Sequence, residues 1–251
     1  MQGSDRDAEN PLEKLTAADN REWVQLMIER GRGTTVGDIM DDSPEKLMLT
    51  EQNPDAAAAM QLHAILAAER EVKDMRFDIV DEFWFGSDRV HGRIVSAFEL
   101  YNKTATVANG LYPLPNFIIP NAIMREDAVS KEMRQSAPDD VAVKFPRLIV
   151  IKFDALTEEE QTAFWGGVLK TDVFRVVTLV YSGDKTIHAL VEVEGEYGAF
   201  RERVLRLCCL AEDVRYRCDP TTLHPSALTC LAGARCFDTG RYQELLFARC
   251  S

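Results

Sequence analysis

No stretch of this 251-residue chain approaches the roughly 18–20 consecutive apolar residues that cross a bilayer, so a membrane-spanning protein is not expected. Met1 to Asn10 is polar and acidic, without the basic and apolar regions of a secretory signal, and a cytoplasmic protein is the expectation. Histidine is scarce, and none of the six cysteines forms a C-x-x-C pair or sits with two histidines at zinc-finger spacing. In a cytosolic chain, Cys208, Cys209, Cys218, Cys230, Cys236 and Cys250 read as buried or partly buried free thiols. Basic residues are outnumbered, 29 against 41 acids, and a net charge of -12 argues against a protein that coats nucleic acid through a general basic surface. The deficit is uneven, with sixteen acids against eight bases in residues 1–75 and 25 against 21 in 76–251. The second part therefore has room for a local basic groove. A Walker A motif is also missing.

What is present reads as an acidic helical N-terminal segment, residues 1–75, followed by an α/β core, residues 76–251. The chain is long enough for one large domain or two small ones. Residues 1–20 are expected to be irregular. Trp23, Leu26 and Met27 line one face of a short helix over Glu22 to Arg30, and Ala-rich Asp55 to Val72 reads as a second. Gly31 to Asn53 reads as a loop containing a short helix, and the whole segment as a lid or appendage. From Phe77 onward the pattern turns to strands. Phe83 to Phe85 and Ile94-Val95 are aromatic or β-branched around the turn residues Gly86-Ser87-Asp88. Leu148-Ile149-Val150-Ile151 is a continuous apolar run of the kind buried on both faces. Thr157 and Glu160 form a capping-box pattern at the head of a helix running to Leu169. Val176 to Tyr181 and Thr186 to Val193 are strands joined by a tight turn, and Glu196 to Ala211 reads as a further helix.

The richest chemistry lies in Ser182-Gly183-Asp184-Lys185-Thr186-Ile187-His188. A glycine turn offers backbone N–H groups, Lys185 a point charge, Ser182 and Thr186 small donors, and His188 follows on the next strand. Together these groups suit a polyphosphate. The same turn also fits a plain hairpin with a solvated lysine and a structural histidine.

This stretch resembles the Ser-Gly-Gly-Lys-Ser-Leu-His segment of primase domains in phage, plasmid and mobile-element replication proteins, members of the archaeo-eukaryotic primase superfamily. Phe117 to Asn121 resembles that family's apolar-Pro-Asn segment. Arg147 to Asp154 resembles its first acidic motif, an Arg and a buried strand ending in Glu-x-Asp. Asp219-Pro220, Pro225-Ser226, Gly233-Ala234-Arg235 and Asp238 to Gln243 resemble the end of the core. The similarity runs in order from about Phe117 to Leu246, roughly half the chain.

The resemblance implies an RRM-like primase core and template-directed nucleotide polymerisation, of primase or primase-polymerase type, in mobile-element replication. Asp154 and Asp219 would hold Mg²⁺ or Mn²⁺, and Asp154, Asp219 and His188 would form the catalytic set. Ser182, Lys185 and His188 would hold a nucleoside triphosphate, with Arg235 on phosphate or template. Single-stranded DNA and nucleotides would be partners, together with a helicase or another replication protein. Asp219 before Pro220 also fits a turn cap.

Four departures bear on this reading. Lys152 stands where the family has its first carboxylate, and residues i and i+2 of a strand share a face, so its ammonium should lie beside Asp154. Asp184 replaces the second glycine of the phosphate turn, and Cys230 and Ala232 replace an Arg and a Pro. The alternative function is therefore a catalytically inactive primase-fold module that binds nucleic acid, nucleotide or a protein partner.

Overall fold

The computed structural model describes residues 17–70, 82–87, 92–96, 114–123, 143 and 146–250. It is a mixed α/β structure with two four-stranded antiparallel sheets. One sheet has the order β2 (Gly92–Ser96), β1 (Glu82–Gly86), β3 (Phe117–Ile118), β7 (Thr229–Cys230). The other has the order β4 (Leu148–Ile151), β6 (Ile187–Glu192), β5 (Val176–Tyr181), β8 (Glu244–Ala248).

The second sheet is buried on both faces, which is why its strands are nearly continuous apolar runs. Ile149, Ile151, Leu179, Ala189 and Val191 face a helical layer made of α1 (Ala17–Arg30), α2 (Val36–Asp41), α4 (Glu158–Thr171) and α5 (Tyr197–Val204). Leu148, Val150, Val177, Val180 and Leu190 face a second core shared with α3 (Pro54–Arg70) and with Phe83, Phe85, Val95 and Ile118 of the first sheet.

Helices α1, α2 and α3, in the stretch read as a lid or appendage, contribute buried residues to these cores. Trp23 and Met27 are 1% exposed, and Trp23 meets Phe164 and Phe174 edge-on at 5.5 Å. In α3, Ala58, Ile65 and Leu66 are equally buried, in the other core. Helix α1 begins at Ala17, inside the stretch expected to be irregular, while the division expected near residue 75 falls outside the described residues. Among the described residues of this segment, Glu22, Glu29, Asp38, Asp41, Asp42 and Glu51 are exposed.

The approach of α1 to α4 depends on missing side chains. A Cβ on Gly31 would stand 1.7 Å from the Ala163 carbonyl oxygen, and one on Gly167 would stand 2.1 Å from that of Met27. Both obstacles are backbone atoms, so neither can rotate away. Gly167→Ala is expected to destabilise the fold by about 2 kcal/mol or more, the upper range of overpacking costs. Urea unfolding of wild type and variant measures this, and equal midpoints would show that the helices can separate at little cost.

Candidate functional site

Strand β4 lies antiparallel to β6, with Ile151 opposite Ala189. Continued by one residue, this register sets Lys152 across from His188. The next chain segment to arrive is 218–223, anchored where the Asp219 amide donates to the Lys152 carbonyl at 2.9 Å. Lys152, Asp154, His188 and Asp219 thus gather at one end of the sheet, although they come from three separate stretches of sequence.

The Lys152 ammonium, only 12% exposed, sits 3.1 Å from Asp154 Oδ1 and 3.4 Å from Asp219 Oδ2. The gross attraction of one such pair is about 4 kcal/mol at an effective dielectric of 20, and desolvation of the ammonium offsets much of it. The other oxygen of Asp219 accepts from the Thr221 amide at 2.9 Å and its hydroxyl at 2.7 Å, capping a 3₁₀ turn over Pro220–Leu223. Partial burial pushes the Asp219 carboxyl up. The two Thr221 hydrogen bonds and the Lys152 charge outweigh it and hold the carboxyl below its ordinary value.

These residues do not fit a divalent ion. Mg²⁺ and Mn²⁺ need oxygen ligands at roughly 2.0–2.3 Å and repel cations, yet an ammonium already bridges the two carboxylates that would supply those ligands. Among the described residues, no group of three His, Cys, Asp or Glu is placed to hold a metal.

The turn between β5 and β6 is tightly organised. Ser182 is buried, and its oxygen accepts from the Thr186 amide at 3.2 Å and the Thr186 hydroxyl at 3.1 Å. Its role is therefore to shape the turn. Gly183 takes φ +78, the left-handed region, and a Cβ there would press on Cys236 and the Tyr242 carbonyl at 3.0 Å. Helix α4 secures the exit: Gln161 donates to the Lys185 carbonyl at 2.8 Å and accepts from the Ile187 amide at 2.7 Å. Lys185 itself is exposed and makes no ion pair among the described residues, and exposed Asp184 precedes it.

His188 is half-buried and turned toward the other sheet. Its Nδ1 accepts from the Cys230 amide at 3.4 Å, and its Nε2 lies 3.8 Å from the Cys230 Sγ. Cys230 is held in turn by Gln61, whose amide donates to the Cys230 carbonyl at 2.9 Å and accepts from Ala232 at 2.7 Å. The position read as a replaced arginine is thus a buried contact for the histidine.

Arg235 lies apart from this cluster. Its guanidinium donates to the Gly240 carbonyl at 2.8 Å and the Tyr242 hydroxyl at 2.9 Å, and stacks 4.1 Å over the Tyr242 ring. It lines a cavity of about 580 Å³ with Tyr181, Glu158, Arg241 and Glu244, and none of Lys152, Asp154, His188 or Asp219 is in that lining. Arg235 itself is exposed, and its loop packs on the turn at Gly183, whose carbonyl accepts from the Thr239 hydroxyl at 2.7 Å.

Asn121 was legible only as part of a motif, and its task is structural. It is 1% exposed, donates to the carbonyls of Leu148 (2.9 Å) and Pro225 (2.8 Å), and accepts from the amides of Arg147 and Leu148, both at 2.8 Å. Gln61 carried no sequence signal at all, because a glutamine in an Ala-rich helix looks solvated until its partners are known. No protein-family model, curated protein or solved structure matches this chain.

Two measurements probe the ion cluster. Because the Asp219 carboxyl is held low in the folded state, its contribution is present at neutral pH and is lost as pH falls through that lowered value. Asp219→Asn should cost about 1 kcal/mol or less at neutral pH and lie closest to wild type at the acid end, as thermal unfolding against pH would show. A constant offset at all pH values would show that ionisation of Asp219 contributes nothing to the difference. In a Mn²⁺ titration, wild type should show no saturable site, whereas Lys152→Glu, with a third carboxylate in place of the ammonium, should bind. Equal binding by both would mean that other oxygens form a site.

Proposed function

We propose that this chain is a primase-like module that engages a nucleotide phosphate at the Ser182–His188 turn without catalysing metal-dependent nucleotidyl transfer. The observation that carries this reading is the Lys152 ammonium bridging Asp154 and Asp219. Transfer of a nucleotidyl group calls for divalent charge at the triphosphate and at the attacking hydroxyl. One ammonium shared by two carboxylates leaves the cluster with a net negative charge and no Lewis acid. Phosphate would then be drawn to the exposed Lys185 at the turn.

The order β4, α4, β5, β6, α5 is compatible with the start of a ferredoxin-like unit. The final strand β8 lies beside β5, at the edge opposite the one such a unit uses for its last strand. A working primase-polymerase of a mobile element is the second reading. What favours it is a solvent-facing Lys185 on a glycine turn, one strand from His188.

Primer synthesis and extension on single-stranded DNA, with Mg²⁺ or Mn²⁺, should yield no product, and robust extension would establish the second reading instead. Calorimetry with a deoxynucleoside triphosphate should detect binding that Lys185→Ala weakens by about 10- to 150-fold, the equivalent of one charge-assisted contact worth roughly 1.5–3 kcal/mol. An unchanged dissociation constant removes Lys185 from the site. No binding by wild type at all would leave a module that recognises a protein partner.

A further inference from the structure

The cavity of about 580 Å³ that Arg235 lines is separate from the Lys152 cluster, and the nucleotide reading makes no use of it. Its volume falls within the range of small-molecule sites. Helix α2, residues 49–51, the first turns of α4, strands β5, β6 and β8 and the 235–242 loop all reach it. Val36, Leu49, Ile187 and Leu246 give it apolar walls, and Glu51, Glu158 and Glu244 bring carboxylates from three separate stretches of chain.

None of these carboxylates makes an ion pair among the described residues. The two arginines in the lining do not pair with them: the Arg235 guanidinium is held on Gly240 and Tyr242, and Arg241 forms no ion pair among the described residues either. Glu244 stands opposite Tyr181 in the β5–β8 ladder and is half-buried. Burial, and then the charges of Glu51 and Glu158, push its carboxyl above the ordinary value. The Tyr181 hydroxyl already donates to the Asp184 carbonyl, so the ring is what this residue adds to the wall. An acidic patch on an open surface would simply be hydrated; here carboxylates, an aromatic ring and aliphatic side chains enclose one space.

We infer that this cavity binds a linear aliphatic polyamine, with its methylenes along the apolar walls and its ammonium groups on Glu51, Glu158 and Glu244. The three carboxylates are not placed to share one metal ion, so they suit separate charges spaced along a chain. The Tyr181 ring adds a cation–π contact, and the methylenes pack on apolar surface as the stem of a lysine does. The inference stands independently of nucleotide binding at the Ser182–His188 turn.

Calorimetry of the intact protein with spermidine tests it. The expected result is one saturable site, with n-butylamine, a single charge on a similar stem, binding at least about tenfold more weakly. Glu244→Gln should weaken spermidine binding by about 10- to 150-fold, the loss of one charge-assisted contact. The unliganded variant should melt no lower than wild type, because a like-charge repulsion is gone. Glu29→Gln, at an exposed acid on α1, should change nothing. No saturation in wild type would overturn the inference. So would equal binding of n-butylamine, or equal losses in Glu244→Gln and Glu29→Gln, either of which would assign binding to net charge alone. Glu158→Gln, at the exposed head of α4, carries the same test should Glu244→Gln fail to fold.

Discussion

Three buried carboxamides hold the separate parts of this molecule in register. Gln61, Asn121 and Gln161 are each no more than 1% exposed. Each uses its oxygen as an acceptor and its NH₂ as a donor toward main-chain groups that no sheet or helix satisfies. A buried amide left unpaired costs roughly 1–3 kcal/mol per group, so these side chains tolerate one arrangement of their neighbours and penalise others. Gln61 joins α3 to β7, Asn121 joins the end of β3 to β4 and to Pro225, and Gln161 joins α4 to the turn before β6. All three junctions border the candidate site.

The ion cluster depends on that framework. Asn121 fixes where β4 starts and where the 225 loop runs, and between those points Lys152 and Asp219 share a backbone hydrogen bond. The ammonium is then held between two carboxylates with little freedom to leave. Asp219 serves twice, capping its own turn with one oxygen and receiving the lysine with the other. Lys152 is thus held in an ion pair with both carboxylates at once.

Near the same end of the sheet, the turn that carries Lys185 remains solvent-facing while its backbone is locked from behind by Gln161, Ser182 and the 236–242 loop. A rigid turn with an exposed cation is suited to holding a phosphate in place. Asp184 beside it, and the net negative charge of the Lys152 cluster, limit how much negative charge the surface can accept.

Local pattern alone determined much of this protein. The apolar run at Leu148, the capping box at Thr157, the hairpin around Gly183 and the i, i+2 relation of Lys152 to Asp154 all follow from periodicity, turn chemistry and strand geometry. Each is a relation between residues a few positions apart. Strands β7 and β8 carried no such pattern, because two residues at Thr229 and the run after Gln243 acquire strand character only by pairing with β3 and β5. The acidic N-terminal helices looked detachable because charge is visible in sequence, whereas the glycine contact that sinks α1 onto α4 spans more than 130 positions. Local pattern also gave no sign that the Arg235 guanidinium bonds to Gly240 and Tyr242. Whether Lys152 faced one carboxylate or two depended on how segments 65 residues apart meet. Only the tertiary structure decided it, because buried hydrogen bonds, not local propensity, bring those segments together.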